Sequence, residues 1–218
     1  MRRIFFLIFL IFLLNNTYGQ KIKGALIAGF NIAQVDGDEV FGFKKFGFNA
    51  GPSVIIPLGT KFLMSIETIY NQKGSYEKNP KDEDVNNGRP YYNLRLTYVE
   101  VPVLFCFEDK GMITFGTGIS WGRLVNAKEY EYGVKTSTTI RGPYTKNDMD
   151  FLLDIRFRLI KNLKFNIRYT YSITKIRNRI FQDIAGNVWD RDQYNNLLTF
   201  RFIYVFNEAA SIEHPMMK

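Results

Sequence analysis

The residues that could do chemistry are few. His214 is the only histidine and Cys106 the only cysteine in the 218-residue chain. A Ser-His-Asp relay or a multi-histidine metal site therefore has no basis, and no intramolecular disulfide can form. Asp150 and Asp154 have the spacing of a carboxylate pair, but Arg156 and Arg158 continue the same alternate-residue series. Acids and guanidiniums sharing one face are read as ion pairs rather than as a general acid and base. Asp82, Glu83 and Asp84 form an acidic run. Calcium loops space their oxygen ligands along the chain, and this contiguous run matches no such loop, so it reads as a solvated tip. Glycines do not form a phosphate-binding turn; Gly47, Gly51, Gly116 and Gly118 fall inside strand-like segments. The expectation is a protein without enzymatic activity, cofactor or metal.

The elements that carry these residues are strands. The chain is rich in Phe (20) and Tyr (13), residues that favour strands. Apolar residues recur with period two. Ile22, Gly24, Leu26, Ala28, Phe30 and Ile32 share one face of the first segment, and Phe46, Phe48, Ala50, Pro52, Val54 and Ile56 one face of the second. Phe62, Met64, Ile66, Thr68 and Tyr70 oppose Ser65, Glu67, Asn71 and Lys73 in the third. Ile113 to Trp121, Met149 to Leu159, Leu163 to Ile173 and Leu198 to Phe206 alternate likewise. The fourth segment changes phase: Leu94, Leu96 and Tyr98 give way to Val99, Val101, Val103, Phe105 and Phe107, which predicts a β-bulge near Tyr98, with Pro102 beside it. A dyad run of ~10 residues suits one tilted crossing of a bilayer.

Short turns at Pro57–Lys61, Glu108–Gly111 and Ile160–Asn162 alternate with long polar connections at Gln34–Lys44, Ser75–Tyr91, Val125–Asn147 and Arg177–Asn195. That rhythm predicts an all-β, eight-stranded antiparallel up-and-down transmembrane β-barrel, with both chain ends in the periplasm and the long loops extracellular. The N-terminus agrees. Arg2 and Arg3 precede an apolar run, Ile4 to Leu14, of signal-peptide length. Thr17 and Gly19 place cleavage after Gly19. The expected organisation is a signal peptide (1–19), an outer-membrane barrel (20–206) and a C-terminal tail (207–218), exported by the Sec route. Charged residues make up 23% and the formal charge is +8. With no basic helix or nucleic-acid motif, the cations are read as lumen and surface charge rather than as a nucleic-acid interface.

The face opposite the apolar one carries Glu67, Glu100, Asp150 and Asp154 with Lys23, Arg156, Arg158, Lys164, Arg168 and Arg201. In a barrel this narrow, side chains fill the interior and such charges must pair. They predict a salt-bridged plug; the other reading is a small passive, porin-like channel. On the outer face Tyr70, Tyr92, Tyr98, Trp121, Tyr169, Tyr171 and Tyr204 are candidates for interfacial girdles. The expected partners are outer-membrane lipid, lipopolysaccharide and an envelope protein engaged by the loops or the periplasmic face. Arg177, Arg179, Trp189 and Arg191 stand in one such loop.

Two segments resemble a known family. Glu67-Thr-Ile-Tyr70-Asn-Gln-Lys73-Gly74 is similar to the E-x-x-Y-x-x-K-G signature of the PorT-like outer-membrane β-barrel family of Bacteroidota, and Tyr98-Val-Glu100-Val-Pro102-Val-Leu to its Y-[LV]-E-[IV]-P-[LV]-L segment. Gly29-Phe-Asn and Gly47-Phe-Asn-Ala-Gly resemble its early strands. The resemblance spans roughly Lys21 to Phe206 and implies an eight-stranded outer-membrane barrel. The family's name-giving member takes part in type IX secretion; the resemblance lies in the barrel frame and not in the loops. The segment after Phe206 departs from barrels that end at the aromatic strand terminus.

Overall fold

The computed structural model describes residues 22–78, 92–131, 134–138, 143–182, 185–206 and 208. The expected signal peptide and its cleavage site, the acids 82–84 and His214 lie outside the described residues. The strands are β1 (Lys23–Asp36), β2 (Lys45–Pro57), β3 (Phe62–Glu67), β4 (Ile69–Glu77), β5 (Tyr92–Asp109), β6 (Ile113–Glu131), β7 (Val134–Thr138), β8 (Asn147–Ile160), β9 (Leu163–Ser172), β10 (Arg177–Gln182) and β11 (Val188–Val205). Eight staves follow from eleven strands. β3 and β4 are one stave, since both keep a single register against β2 and against β5. β7 and β10 only extend β6 and β11 as hairpins. Every stave pairs antiparallel with the next, and β11 returns to β1 from Ala25↔Val205 to Asp36↔Tyr194. The ring closes, so the sheet has no open edge to aggregate.

The break between β3 and β4 has a chemical cause. Continuing the registers sets Pro102 of β5 opposite Glu67 and Pro52 of β2 opposite Thr68. Proline has no N–H to give a ladder. Thr68 still donates its own N–H to the Pro52 carbonyl at 3.0 Å.

The two faces invert those of a soluble protein. Outward side chains are large, apolar and exposed: Phe48 is 61% exposed and Leu153 47%. Inward ones are polar and buried, including Arg201, Lys73 and Asp150. Exposed apolar area on this scale marks contact with lipid. The alternation read from β1, β2, β3–β4, β8, β9 and the lower half of β11 sets the outward and inward faces as they stand.

Three expectations are corrected. β5 keeps one phase throughout: Leu94, Leu96, Tyr98, Glu100, Leu104 and Cys106 are all buried inside, while Val99, Val103 and Phe105 face out. The irregularity near Tyr98 belongs to the partner strand. Thr97 pairs with Asn126 and Tyr98 with Leu124, so Val125 of β6 is the additional residue, and the faces of β6 switch there. The upper lumen is apolar, a cluster that joins Leu94, Leu96 and Tyr98 to Leu124, Ala127 and Ile176. A strand with apolar residues on both faces gives no parity signal. Tyr92 and Tyr98 consequently leave the girdle for the interior, whereas Tyr70, Trp121 and Tyr204 stand outside. Finally, much of two expected loops is sheet: β5 and β6 stay paired up to Tyr92↔Glu131, and β10 pairs with β11 up to Gln182↔Val188.

Gly74 of β4 has φ +137°. A Cβ there would lie 2.2 Å from the Leu94 carbonyl oxygen. Gly74→Ala should lower the stability of the folded barrel by about 1–3 kcal/mol, the usual cost of a side chain in such a backbone region. Urea unfolding in detergent, followed by tryptophan fluorescence, measures this; an unchanged midpoint would contradict it.

Candidate functional site

The inward charges separate into tiers along the barrel axis. At the centre, Glu67 of β3 accepts both arms of Arg168 from β9, Nη1 to Oε2 at 2.9 Å and Nη2 to Oε1 at 2.9 Å. Arg201 of β11 adds Nη1 to Oε2 at 3.0 Å, and Arg156 of β8 approaches Oε1 at 3.5 Å. Asp154 binds the same three guanidiniums, at 2.7 Å from Arg156 Nε, 2.8 Å from Arg168 Nε and 3.5 Å from Arg201 Nη2. Register builds part of this directly, because Asp154 and Arg168 face each other across the β8–β9 ladder. Arg201 also donates from Nε to Asn166 Oδ1 at 2.6 Å. Planar guanidiniums supply several donors in fixed directions, which lets two carboxylates hold three of them.

Above the centre the balance reverses. Lys73 of β4 lies 2.8 Å from Glu100, 2.7 Å from Asp150 and 3.2 Å from Asp148, with all four side chains buried. Ser172 donates to both Asp148 and Asp150, Asn195 to Asp148, and Asn71 to Glu100. The Lys73 ammonium stands 5.0 Å from the Tyr98 ring centroid. Leu152, packed with Leu104 and Cys106, lies between Asp150 and Asp154 on β8 and separates the two tiers.

Further tiers close the ends. Near the end opposite the short turns Arg177 makes a two-armed bond to Glu129, both at 3.0 Å, and lies 4.5 Å over the Tyr144 ring. At the end of the short turns Glu208 is buried among Arg158 (2.8 Å), Lys164 (3.4 Å) and Lys23 (3.6 Å). The sequence assigns Glu208 to a tail outside the barrel; instead it caps the lumen. Arg158, expected in the lumen charge network without a position along it, belongs to this end group rather than to the central cluster. Glu67, Asp154, Arg156, Arg168 and Arg201 meet at the centre, while Glu100 and Asp150 meet around Lys73.

Sequence reasoning misses Asp148, Glu129 and Glu208. Asp148 shares the parity of Asp150 and is legible in that way; Glu129 stands past the β6 bulge, where parity inverts. Lys73 enters the sequence reading as a motif residue, not as a member of the charge network. The motif residues acquire separate jobs: Lys73 and Glu100 form one ion pair, Glu67 anchors the arginines, Tyr70 faces out, and Gly74 and Pro102 shape the backbone.

Outside the lumen, a cleft of about 390 Å³ opens at the end opposite the short turns between Asp38, Glu39, Tyr92, Glu131, Arg179 and Phe181. Arg179 pairs with Glu131 and lies 4.9 Å over the Phe181 ring. Phe181 stacks on Trp189 at 6.0 Å, and Trp189 Nε1 donates to Glu39 at 3.1 Å. Burial pushes the Asp38 carboxyl up to about 6, against the N–H of Val40 and the charges of Arg177 and Arg179. Among the described residues no group of three or more His, Cys, Asp or Glu is arranged to hold a metal ion.

A closed ring of eight antiparallel staves, apolar outside and charged within, defines a small outer-membrane β-barrel. The chain belongs to the outer membrane protein beta-barrel domain family, whose sequence model matches residues 21–178. Among solved structures it is similar to Ail, the attachment invasion locus protein of Yersinia pestis, with a TM-score of 0.50, 13% identity, and coverage of 84% of this chain and 98% of that one. Neisserial surface protein A gives 0.48, 12%, 83% and 96%, and a major outer membrane protein from Thermus thermophilus gives 0.47, 10%, 85% and 100%. At these identities the likeness to Ail concerns the fold alone. No curated protein matches in sequence.

Glu67→Gln should remove one of the two acids that hold three buried guanidiniums. Leaving buried charge uncompensated costs about 3–5 kcal/mol. A large fall in the urea midpoint is expected; a shift under a tenth of that would show that the cluster is already solvated.

Proposed function

We propose that the protein is a closed, non-enzymatic outer-membrane barrel that acts by binding an envelope partner through its extracellular hairpins. The observation that carries this is the filled lumen. Tiers of buried ion pairs and an apolar layer occupy the axis from Glu208 to Arg177, with side chains of Lys73, Asp148, Asp150 and Arg201 at 0% exposure. Charges in such contact bind each other rather than a passing ion. The part available to other molecules is the outer rim, where strand pairing stiffens β10 and β11 and the Asp38–Arg179 cleft offers aromatic and charged surface.

Within the family, the Glu67–Gly74 and Tyr98–Pro102 motifs support a place in the PorT-like group of Bacteroidota. The ion pair between Lys73 and Glu100 gives those motifs a joint structural purpose. Membership of that group makes envelope assembly or secretion the setting of the binding role. The apolar run Ile4–Leu14 and the small residues Thr17 and Gly19 support export by a Sec signal peptide ending at Gly19.

A photocrosslinker at Ile180, exposed on the β10–β11 hairpin, should capture a discrete envelope protein in cells, and one at Ile160, exposed at the periplasmic turn, should not. The purified protein should give no conductance steps in planar bilayers. Capture from Ile160 alone would move the partner site to the periplasmic face, and a stable ion-selective channel would replace this reading with a passive pore.

A further inference from the structure

Two cations stand directly opposite one another on the outer wall. Arg95 of β5 pairs in register with Lys128 of β6, and both are exposed. Like charges facing each other across a ladder destabilise it. Among the described residues no carboxylate forms an ion pair with either, although nearby Lys44 has Glu77 and the inward Lys73 has three acids. Lys45, at the start of β2, has the inward parity of Gly47 and Asn49, but its Nζ reaches β5 and donates to Asn93 Oδ1 at 2.6 Å.

The three cations line one groove of about 400 Å³ together with Phe46, Phe48 and Tyr70. These aromatics are outward and exposed, and Phe46 meets Phe48 edge to face at 5.8 Å. Toward the membrane midplane β5 continues into exposed Val99, Val103 and Phe105. The groove thus straddles the level where the lipid-facing band ends and polar wall begins, on the side of the long connections. Basic side chains at that level attract anionic head groups, and aromatic rings favour the same interface.

We propose that this groove seats the phosphate-bearing head group of an outer-leaflet lipid, with Arg95, Lys128 and Lys45 on the phosphate and an acyl chain along Phe48, Tyr70 and Val99. The mutual repulsion of Arg95 and Lys128 is then relieved by the anion between them. The inference rests on the outer-membrane orientation and is independent of whether the lumen conducts or what the hairpins bind.

The test uses the full processed protein, purified in detergent, offered equal amounts of bis-phosphorylated lipid A and its dephosphorylated counterpart, with retained lipid read by native mass spectrometry. Wild type should retain the phosphorylated form preferentially. Loss of each cation should weaken retention about fivefold, as expected for a basic side chain near an anionic surface, and the Arg95→Gln/Lys128→Gln double variant about 25-fold. The charge-keeping exchange Arg95→Lys/Lys128→Arg should bind nearly as wild type. Heat-modifiable migration checks folding, and if the double variant does not fold, Lys128→Gln alone carries the test at its exposed position. Equal retention of the two lipids, or retention unchanged by charge removal in a folded variant, overturns the proposal. Retention of inorganic pyrophosphate in preference to the phosphorylated lipid, offered at equal concentration, would assign the groove to a free phosphate and overturn the lipid as occupant.

Discussion

Glu67 in the grip of three arginines is the contact on which the rest of the barrel depends. A ring of eight staves is narrow, and its interior is filled by side chains. The family of outward residues is fixed by lipid, so the inward residues alternate with them on every stave and cannot be chosen freely. Having placed Arg156, Arg168 and Arg201 inside, the chain must neutralise them within a cross-section that admits little water. Glu67 and Asp154 do this from β3 and β8, three staves apart, and so tie together staves that are not neighbours. The tiers above and below repeat the arrangement with Lys73, Arg177 and Glu208 as hubs.

Backbone devices and polar tiers serve the same closure. Pro52 and Pro102 bracket Thr68 beside Glu67, and Gly74 lets β4 approach β5 next to Lys73. The ladder is therefore interrupted beside Glu67, and the backbone takes a glycine conformation beside Lys73. On the outer side, Phe30 stacks between Phe46 and Phe200 at 5.2 and 5.4 Å, which makes the lipid face a packed surface and not only an apolar one. A slip of one residue in any stave would exchange these two faces, so lipid outside and ion pairs inside fix register jointly.

Periodicity made most of the fold legible. The faces of β1, β2, β8 and β9 follow from alternation because one face is lipid and the other charge. β5 misled because its upper inward side, Leu94, Leu96 and Tyr98, is as apolar as its outward side, and hydropathy then carries no phase. The bulge at Val125 could not be assigned to a strand from sequence, since a register shift belongs to a pair. The inward charges were legible as a set, but not as tiers: Glu67 and Arg168 are 101 positions apart, and only the ring brings them together. Glu208 gave no signal because no strand periodicity reaches it. Hairpins β6–β7 and β10–β11 read as loops because their residues mix polar and apolar side chains with no sustained apolar alternation, as in Arg177-Asn-Arg-Ile-Phe-Gln182.

The lumen is closed by its own side chains, and Cys106 reports on that closure without any substitution. Its side chain points inward at 0% exposure, against Leu104 and Leu152 and beside the arginine cluster. The most direct measurement is the labelling rate of Cys106 by a small, membrane-impermeant thiol reagent on the folded barrel in detergent, compared with the urea-unfolded chain. A filled lumen leaves the folded protein unlabelled on the timescale that modifies the unfolded chain completely. Labelling of the folded barrel at a comparable rate would show water and solute in the lumen, and would contradict the account.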